Sequence, residues 1–503
     1  MPTIMPTRAG ARLIAVLCLA LCIRLVWLDY SVWFDELSSL FFADQPLRDL
    51  LGRWTIRETN PPAFYIMLKG WIAVVGYHAW ALRLLPIAGG LCTIWVLQDA
   101  ARRTFGNREA VIITLALALS AQSLFFSHLL RSYAFLYLAI AISLHGLLRI
   151  VEDGDVGRRS VGAWATFAIG AGASVYFHTS AILWMVAATI ALCSVRLAER
   201  RLTWRFLGEL FLACLVWLAI AVPWLVAVTL QLRGGGGNIA WISWGGWAYT
   251  LQLFLQTLLL TREAYGWQIL IPLSALGLAL HGAWVGWSRS SVRLLTVLPF
   301  VALALFLAAS PFQPMIMERT IYWISFMPAL LIAHGMAMLP AIWRREFAAG
   351  FFVALAFNCG TQIHRLPQED WVTVVHRASE TPRSVVIVDG EAMRIALRFA
   401  CRLQGSEPDC PFRVVALVDR GKHTDAWADG YGDYGPKLSP TPVTQLFVFS
   451  RFMHDALSDL QKQGALKGVA HDGDLQGPFP IDSVGAPLAN AIRAHRLLHL
   501  PRD

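Results

Sequence analysis

Apolar residues run in long blocks from Leu13 to about His364, each separated from the next by a short polar gap, and the pattern stops where residues 365–503 become rich in charge, Pro and Gly. Crossing a hydrocarbon core of about 30 Å takes about 20 helical residues. Blocks of that length predict a polytopic α-helical membrane protein with about eleven transmembrane helices. The spans fall near residues 13–30, 82–100, 110–128, 133–150, 161–178, 180–196, 206–230, 266–287, 294–310, 322–340 and 347–363. Residues 31–81 then form a first outer loop, with residues 62–76 lying along the membrane as a surface helix, and residues 231–265 form a second outer loop.

The polar gaps orient the chain. Those at residues 102–108, 158–159, 199–201, 288–293 and 344–345 are all basic, and cytoplasmic loops of membrane proteins carry the excess of Lys and Arg. With Arg8 and Arg12 preceding the first span and no small-residue cleavage site after it, that span is expected to be retained and the N-terminus to face the cytoplasm. Alternation then places the loop after the first span, and the C-terminal domain, outside. The expected domains are residues 1–363, helical and membrane-embedded, and residues 364–503, a soluble extracytoplasmic α/β domain. In that domain strand-like "SVVIVDG" and "QLFVFSR" alternate with helix-like "EAMRIALRFACRL" and "FMHDALSDLQKQG".

Composition narrows the picture. The chain is 56% hydrophobic and only 15% charged, which excludes a simple soluble enzyme. Its net charge of +9 sits largely in the gaps between spans, so it reads as orientation and no nucleic-acid partner is expected. Cys401 and Cys410 are close enough in sequence to close a short disulfide loop in an oxidising compartment, or else to stand as two packed thiols. The other six cysteines lie in or beside spans without metal-ligand spacing, and no metal site is expected.

Under this topology the polar residues at the span mouths collect on one side. They are Asp35 and Glu36 after the first span, Asn60 before Pro61-Pro62, Arg83, His128, Arg131, Tyr133, His178, and Glu318-Arg319. Ionisable groups at the edge of a bilayer are costly and tend to mark function. A carboxylate near several arginines suits transfer from a phosphate-linked donor: the carboxylate takes a proton from an acceptor hydroxyl, and the arginines neutralise the departing phosphate. Each residue also has a structural explanation. Two prolines can open a helix, Arg83 and Arg131 can snorkel, and the histidines can be packed in the core. The glycine run at 234–237 follows no strand and carries no P-loop lysine, so a nucleotide cradle is not expected. Trp241, Trp244 and Trp247 fit an interfacial aromatic belt better than a sugar-stacking platform.

Taken in order, "SVWFDELSSLFF", "NPPAFYIMLKGWIAVVG", "ALRLLPIAGGL", "RRTFGNREA" and "SHLLRSYAFLYLAIAIS" resemble the bacterial glycosyltransferase family 39 and its relatives, the protein O-mannosyltransferases and lipid A aminoarabinose transferases, which share the GT-C fold. The resemblance is good over about residues 30–150. Beyond that it rests on topology, on "MERTIYWISFMPALL", and on "EDWVTVVHRA", which looks like the helix that opens the soluble domain of many members. Two positions depart from the pattern: Asn60 stands where His or Lys usually precedes Pro-Pro, and Arg319-Thr320 replaces an Arg-Tyr pair, with Tyr322 displaced along the chain.

The resemblance implies a membrane glycosyltransferase that moves a hexosyl or pentosyl group, with inversion, from a polyprenyl monophosphate carrier to a lipid, glycan or protein acceptor at the outer leaflet. The setting it implies is a bacterial inner membrane, with the active site on the periplasmic side. Asp35 is the expected general base and Glu36 the second choice. Arg83, Arg131 and Arg319 are expected at the carrier phosphate, with Asn60 and Tyr133 at donor or acceptor. A divalent cation could assist the leaving group, although nothing in the sequence requires one. The rival reading is a transporter or flippase for a polyprenyl-linked glycan or lipid. Against it stand the lack of an internal repeat and the gathering of polar residues at one face instead of mid-span.

Overall fold

A computed structural model of the chain describes residues 8–26, 28, 30–152, 158–233, 244–312, 314–363, 369–406, 410–419, 445–449, 475–480 and 498–500. The glycine run at 234–237, Trp241 and the helix-like segment 452–464 lie outside the described residues.

The helices are α1 (Arg8–Leu25), α2 (Phe34–Asp44), α3 (Leu47–Leu51), α4 (Arg53–Arg57), α5 (Ala63–Val75), α6 (Ala79–Thr104), α7 (Asn107–Leu119), α8 (Ala121–His128), α9 (Tyr133–Glu152), α10 (Arg158–Ser174), α11 (Ile182–Ala198), α12 (Trp204–Arg233), α13 (Gly246–Leu258), α14 (Leu270–Val285), α15 (Ser290–Ala309), α16 (Glu318–Ile321), α17 (Phe326–Met338), α18 (Ala341–Ile363), α19 (Trp371–Glu380) and α20 (Gly390–Leu403). The strands are β1 (Ser384–Asp389), β2 (Arg413–Asp419), β3 (Gln445–Phe449), β4 (Leu475–Pro480) and β5 (Leu498–Leu500).

Among the described residues seven helices are long and apolar enough to cross a membrane, or eight if α7 and α8 make one bent span. The first and fifth expected spans coincide with shorter apolar helices, Leu13–Leu25 and Val161–Ser174. Helix α5, at 13 residues, is too short to cross.

The stretch expected as one span over 110–128 is two helices bent by 61°. The break has a local cause. Ser120 leaves the helical region and caps α8, accepting from Ser123 N at 3.3 Å, while its hydroxyl donates to Leu260 O at 2.9 Å. Carbonyls freed at such a break need donors. Arg24, fully buried on α1, supplies one: Nη2 reaches Leu117 O at 3.4 Å and Ser123 Oγ at 2.8 Å, and Nε reaches Ser127 Oγ at 3.2 Å.

The chain forms two compact units, each discontinuous in sequence. The first comprises Met1–Leu28, Thr59–Phe64 and Arg83–Arg365; the second comprises Asp29–Glu58, Tyr65–Leu82 and Leu366–Asp503. The first is a helical bundle. Its closest approaches use glycine where helices offer little hydrophobic gain for packing in lipid. A Cβ on Gly282 of α14 would collide with Leu331 O of α17, and one on Gly335 with Leu278 O. Polar contacts staple α9, α10 and α11, with Ser143 Oγ donating to Phe167 O at 2.8 Å and Trp184 Nε1 donating to Ser143 Oγ at 2.8 Å.

The second unit is built on a five-stranded sheet of order β4-β3-β1-β2-β5. Central β1 pairs in parallel with β2 and β3, β2 pairs in parallel with β5, and β3 runs antiparallel to β4. Val385, Val386, Ile387 and Val388 are all buried, as expected of a central strand covered on both faces. Helix α20 makes the crossover that parallel pairing of β1 with β2 requires. It also packs on α2, where Phe41 meets Phe399 with ring centroids 6.4 Å apart.

Candidate active site

In the helical unit several of the expected residues converge where α9, α10, α11 and α16 begin or end. Arg131 and Tyr133 are buried at the turn between α8 and α9. The Tyr133 ring lies 6.1 Å from that of His178, and the His178 imidazole feels the charges of Arg319 and Arg131. Tyr137, one turn further along α9, donates its hydroxyl to Arg319 O at 2.9 Å. The segment holding Asn60 reaches the same place, since Thr59 O accepts from Thr179 Oγ1 at 3.4 Å, next to His178. Three expected residues, Arg131, Tyr133 and Arg319, are thus grouped around His178, and the chain just before Asn60 reaches Thr179 beside it.

His178 caps the short 3-10 turn 179–181. Its Nδ1 accepts from Ser180 N at 3.2 Å and lies 2.8 Å from Ser180 Oγ, so the ring proton belongs on Nε2. Burial first, and then the positive charges of Arg319 and Arg131, push this imidazole down to about 3. It is therefore neutral at physiological pH and can donate through Nε2.

Arg83 and His128 form a second group with Arg24, all three fully buried. Arg83 donates Nη1 to Leu28 O at 2.6 Å. A snorkelling arginine reaches water with its guanidinium, and Arg83, held inside at the start of α6, does not.

Arg319 follows a residue that is itself held. Glu318 accepts from Gln122 Nε2 at 2.9 Å and from Arg262 Nε at 3.3 Å. Arg262 lies over the Phe125 ring at 3.8 Å and donates Nη1 to Gln362 Oε1 at 3.3 Å. Asn358 brackets the Arg262 backbone, accepting from its N–H at 3.3 Å and donating to its carbonyl at 3.1 Å. None of the ordered motifs in the sequence marks Arg262, Gln122, Asn358 or Gln362. The spacing of Asn358 and Gln362, four apart and so on one face of an apolar helix, was the available signal. In the sequence Arg24 interrupts an otherwise apolar run. Displaced Tyr322 is buried and packs against Phe126 and Tyr137, with centroids 5.1 and 4.8 Å apart.

The two acidic residues belong to the other unit, on α2, and their local settings differ. Glu36 is fully buried, and its Oε2 accepts from Trp33 N at 3.1 Å, closing the N-terminus of α2 on itself. Asp35 keeps part of its surface exposed. The local structure therefore gives Glu36 a capping task and leaves Asp35 the accessible carboxylate. Trp244 and Trp247 are exposed and pack edge-on at 5.2 Å near the start of α13. Among the described residues no three His, Cys, Asp or Glu side chains gather as metal ligands.

Residues 59–226 match the sequence model of the dolichyl-phosphate-mannose-protein mannosyltransferase family. No curated protein matches the chain in sequence. Solved structures similar in fold include ArnT from Cupriavidus metallidurans bound to undecaprenyl phosphate, at 14% identity and a TM-score of 0.61, covering 93% of this chain and 98% of that one. They also include the archaeal oligosaccharyltransferase AglB from Archaeoglobus fulgidus in complex with an inhibitory peptide and a dolichol-phosphate, at 11% identity and a TM-score of 0.51, covering 88% of this chain and 69% of that one. The chain has the GT-C fold of membrane glycosyltransferases, the superfamily that its sequence resembles.

Proposed function

We propose that this protein transfers a sugar from a polyprenyl-phosphate carrier to a hydroxyl of an envelope glycan, lipid or protein acceptor at the outer face of a bacterial inner membrane, with inversion at the anomeric carbon. The observation that carries the reading is the burial of Arg83 and Arg131, with Arg131 and Arg319 gathered about His178, in a helical unit of GT-C fold. Buried cations at the ends of apolar helices are costly, and an anionic ligand offsets that cost. The structural relatives bear on the ligand's nature, because ArnT is bound to undecaprenyl phosphate and AglB to a dolichol-phosphate.

In this reading Asp35 accepts the acceptor's proton. The freed lone pair attacks the anomeric carbon, the bond from that carbon to the phosphate oxygen breaks, and the polyprenyl phosphate departs with the electron pair. Arg83, Arg131 and Arg319 stabilise the charge that develops on the phosphate. Tyr133 and Asn60 hydrogen-bond the donor or acceptor. The soluble C-terminal α/β domain, residues 364–503, faces the periplasm, a placement supported by the disulfide between Cys401 and Cys410.

The test has two arms. Deleting the gene and comparing envelope glycolipids and polysaccharides by mass spectrometry should reveal the loss of one sugar. Complementation with Asp35→Asn, at matched membrane levels, should leave that sugar missing, with transfer lowered about 10²- to 10⁴-fold. Parental transfer by Asp35→Asn removes Asp35 as the base, and an unchanged envelope in the deletion strain removes the reading.

A further inference from the structure

We infer that Glu369, in the segment following α18, is a positioning residue for Asp35. The inference rests on the assignment of Asp35 as general base.

The N-terminus of an α-helix presents backbone N–H groups without partners inside the helix, and acceptors from elsewhere in the chain that bind them tie that end in place. On α2 the binding comes from two directions. Trp33 N–H is taken by Glu36 of the same helix. Phe34 N–H, immediately before Asp35, is taken by Glu369 Oε2 at 2.6 Å, across 335 residues of sequence. The same Oε2 accepts from Trp371 Nε1 at 2.8 Å, and Trp371 N donates to Ser31 Oγ at 3.0 Å. Residues 31–34 and 369–371 are thus tied together by two hydrogen bonds, with a third inside 369–371 fixing the Glu369 carboxylate, and Trp371 is anchored in turn against Phe449 of β3, with centroids 4.8 Å apart. Glu369 is buried, and its carboxylate stands at the positive end of an eleven-residue helix, where a negative charge is favoured.

The other end of α2 is held as well. Lys69 Nζ reaches Ala43 O at 3.2 Å and Gln45 O at 3.1 Å, and Arg402 of α20 pairs with Asp44 Oδ1 at 3.3 Å. A helix fixed at both ends by residues remote in sequence has a defined rotation. Between buried Phe34 and buried Glu36, Asp35 is the first-turn carboxylate left accessible. Glu369 therefore sets the direction in which Asp35 points, and the C-terminal segment becomes part of the catalytic apparatus without touching substrate.

The experiment uses the full chain. Glu369→Ala, Glu369→Gln and Glu369→Asp are compared for the rate at which the missing sugar reappears in the deletion strain, and for undecaprenyl phosphate binding by purified protein in nanodiscs. Glu369→Ala is expected to lower transfer about 10- to 100-fold through misplacement of the base, with undecaprenyl phosphate affinity unchanged. Glu369→Gln, whose carbonyl oxygen still reaches Phe34 N–H, should restore most of the rate; Glu369→Asp, one methylene shorter, should not. Should Glu369→Ala fail to insert, the contrast between the Gln and Asp variants decides. Parental transfer by Glu369→Ala, equal rates for the Gln and Asp variants, or a matching loss of undecaprenyl phosphate affinity would overturn the inference. A dead Asp35→Asn beside a fully active Glu369→Ala sinks this inference alone, whereas an unchanged envelope in the deletion strain sinks the functional reading beneath it.

Discussion

The two ends of α6 carry the same residue type in opposite settings. Arg83 at its start is fully buried and bonded to a backbone carbonyl. Arg102 and Arg103, about 30 Å further along by helical rise, are largely exposed and share Asp99, which accepts from Arg103 Nε at 2.6 Å and lies 3.0 Å from His145 Nε2. Hydropathy and charge counting treat these arginines alike. Their surroundings divide them: the exposed pair sits in its own carboxylate's field and suits an orientation signal, while Arg83 is held where a cation is expensive. A basic residue at a membrane helix end becomes informative about function when its guanidinium stays inside.

That contrast can be broken by substitution. Arg83→Ala, Arg131→Ala and Arg319→Ala should each lower transfer about 10²- to 10³-fold, as loss of a donor to developing charge does. Lysine at these positions should recover little, because it lacks the planar two-pronged donor. Transfer rates at matched membrane levels check both statements, and wild-type rates in all three alanine variants would erase the distinction drawn along α6.

Arg24→Met sharpens the comparison from a third side. Arg24 is buried like Arg83, yet its bonds to Leu117 O, Ser123 and Ser127 serve the α7–α8 break, so stability should fall by about 1–3 kcal/mol as those groups lose their donor. Thermal unfolding in detergent measures this. At the far end of α6, Arg102→Ala and Arg103→Ala should change stability by about 0.5 kcal/mol or less, since exposed pairs contribute little. Their transfer rates should match the parent.

His178 supplies a test on pH. Its folded-state value is lowered to about 3 by burial and by Arg319 and Arg131, against about 6.5 for an unfolded histidine. Between those values the unfolded chain binds the proton and the folded chain does not. The contribution to stability is therefore present above about pH 6.5 and is lost as pH falls toward 3. His178→Asn, which keeps an acceptor for Ser180 N–H and cannot titrate, should lose less stability than the parent between pH 7 and pH 5 when both are unfolded thermally. Parallel losses in the two proteins would show that His178 is not the group responsible.

Hydropathy alone delimited most of the helices, because a block of about twenty apolar residues in a chain this hydrophobic has few other ways to satisfy its backbone. The ordered motifs singled out Asp35, Asn60, Arg83, Arg131, Tyr133 and Arg319, and with them the GT-C fold. Three features were decided only by tertiary structure. The bend at Ser120 depends on Leu260 and Arg24, far away along the chain, to take up the groups it frees. The difference between Asp35 and Glu36 depends on which carboxylate turns back to cap its own helix, which two adjacent acidic residues cannot reveal in one dimension. The grouping of residues 29–58 with the C-terminal segment depends on a hydrogen bond between positions 34 and 369 and on aromatic packing of α2 against α20. Apolar length is a local property and is written in the sequence, whereas the partner of a buried polar group is chosen by the fold.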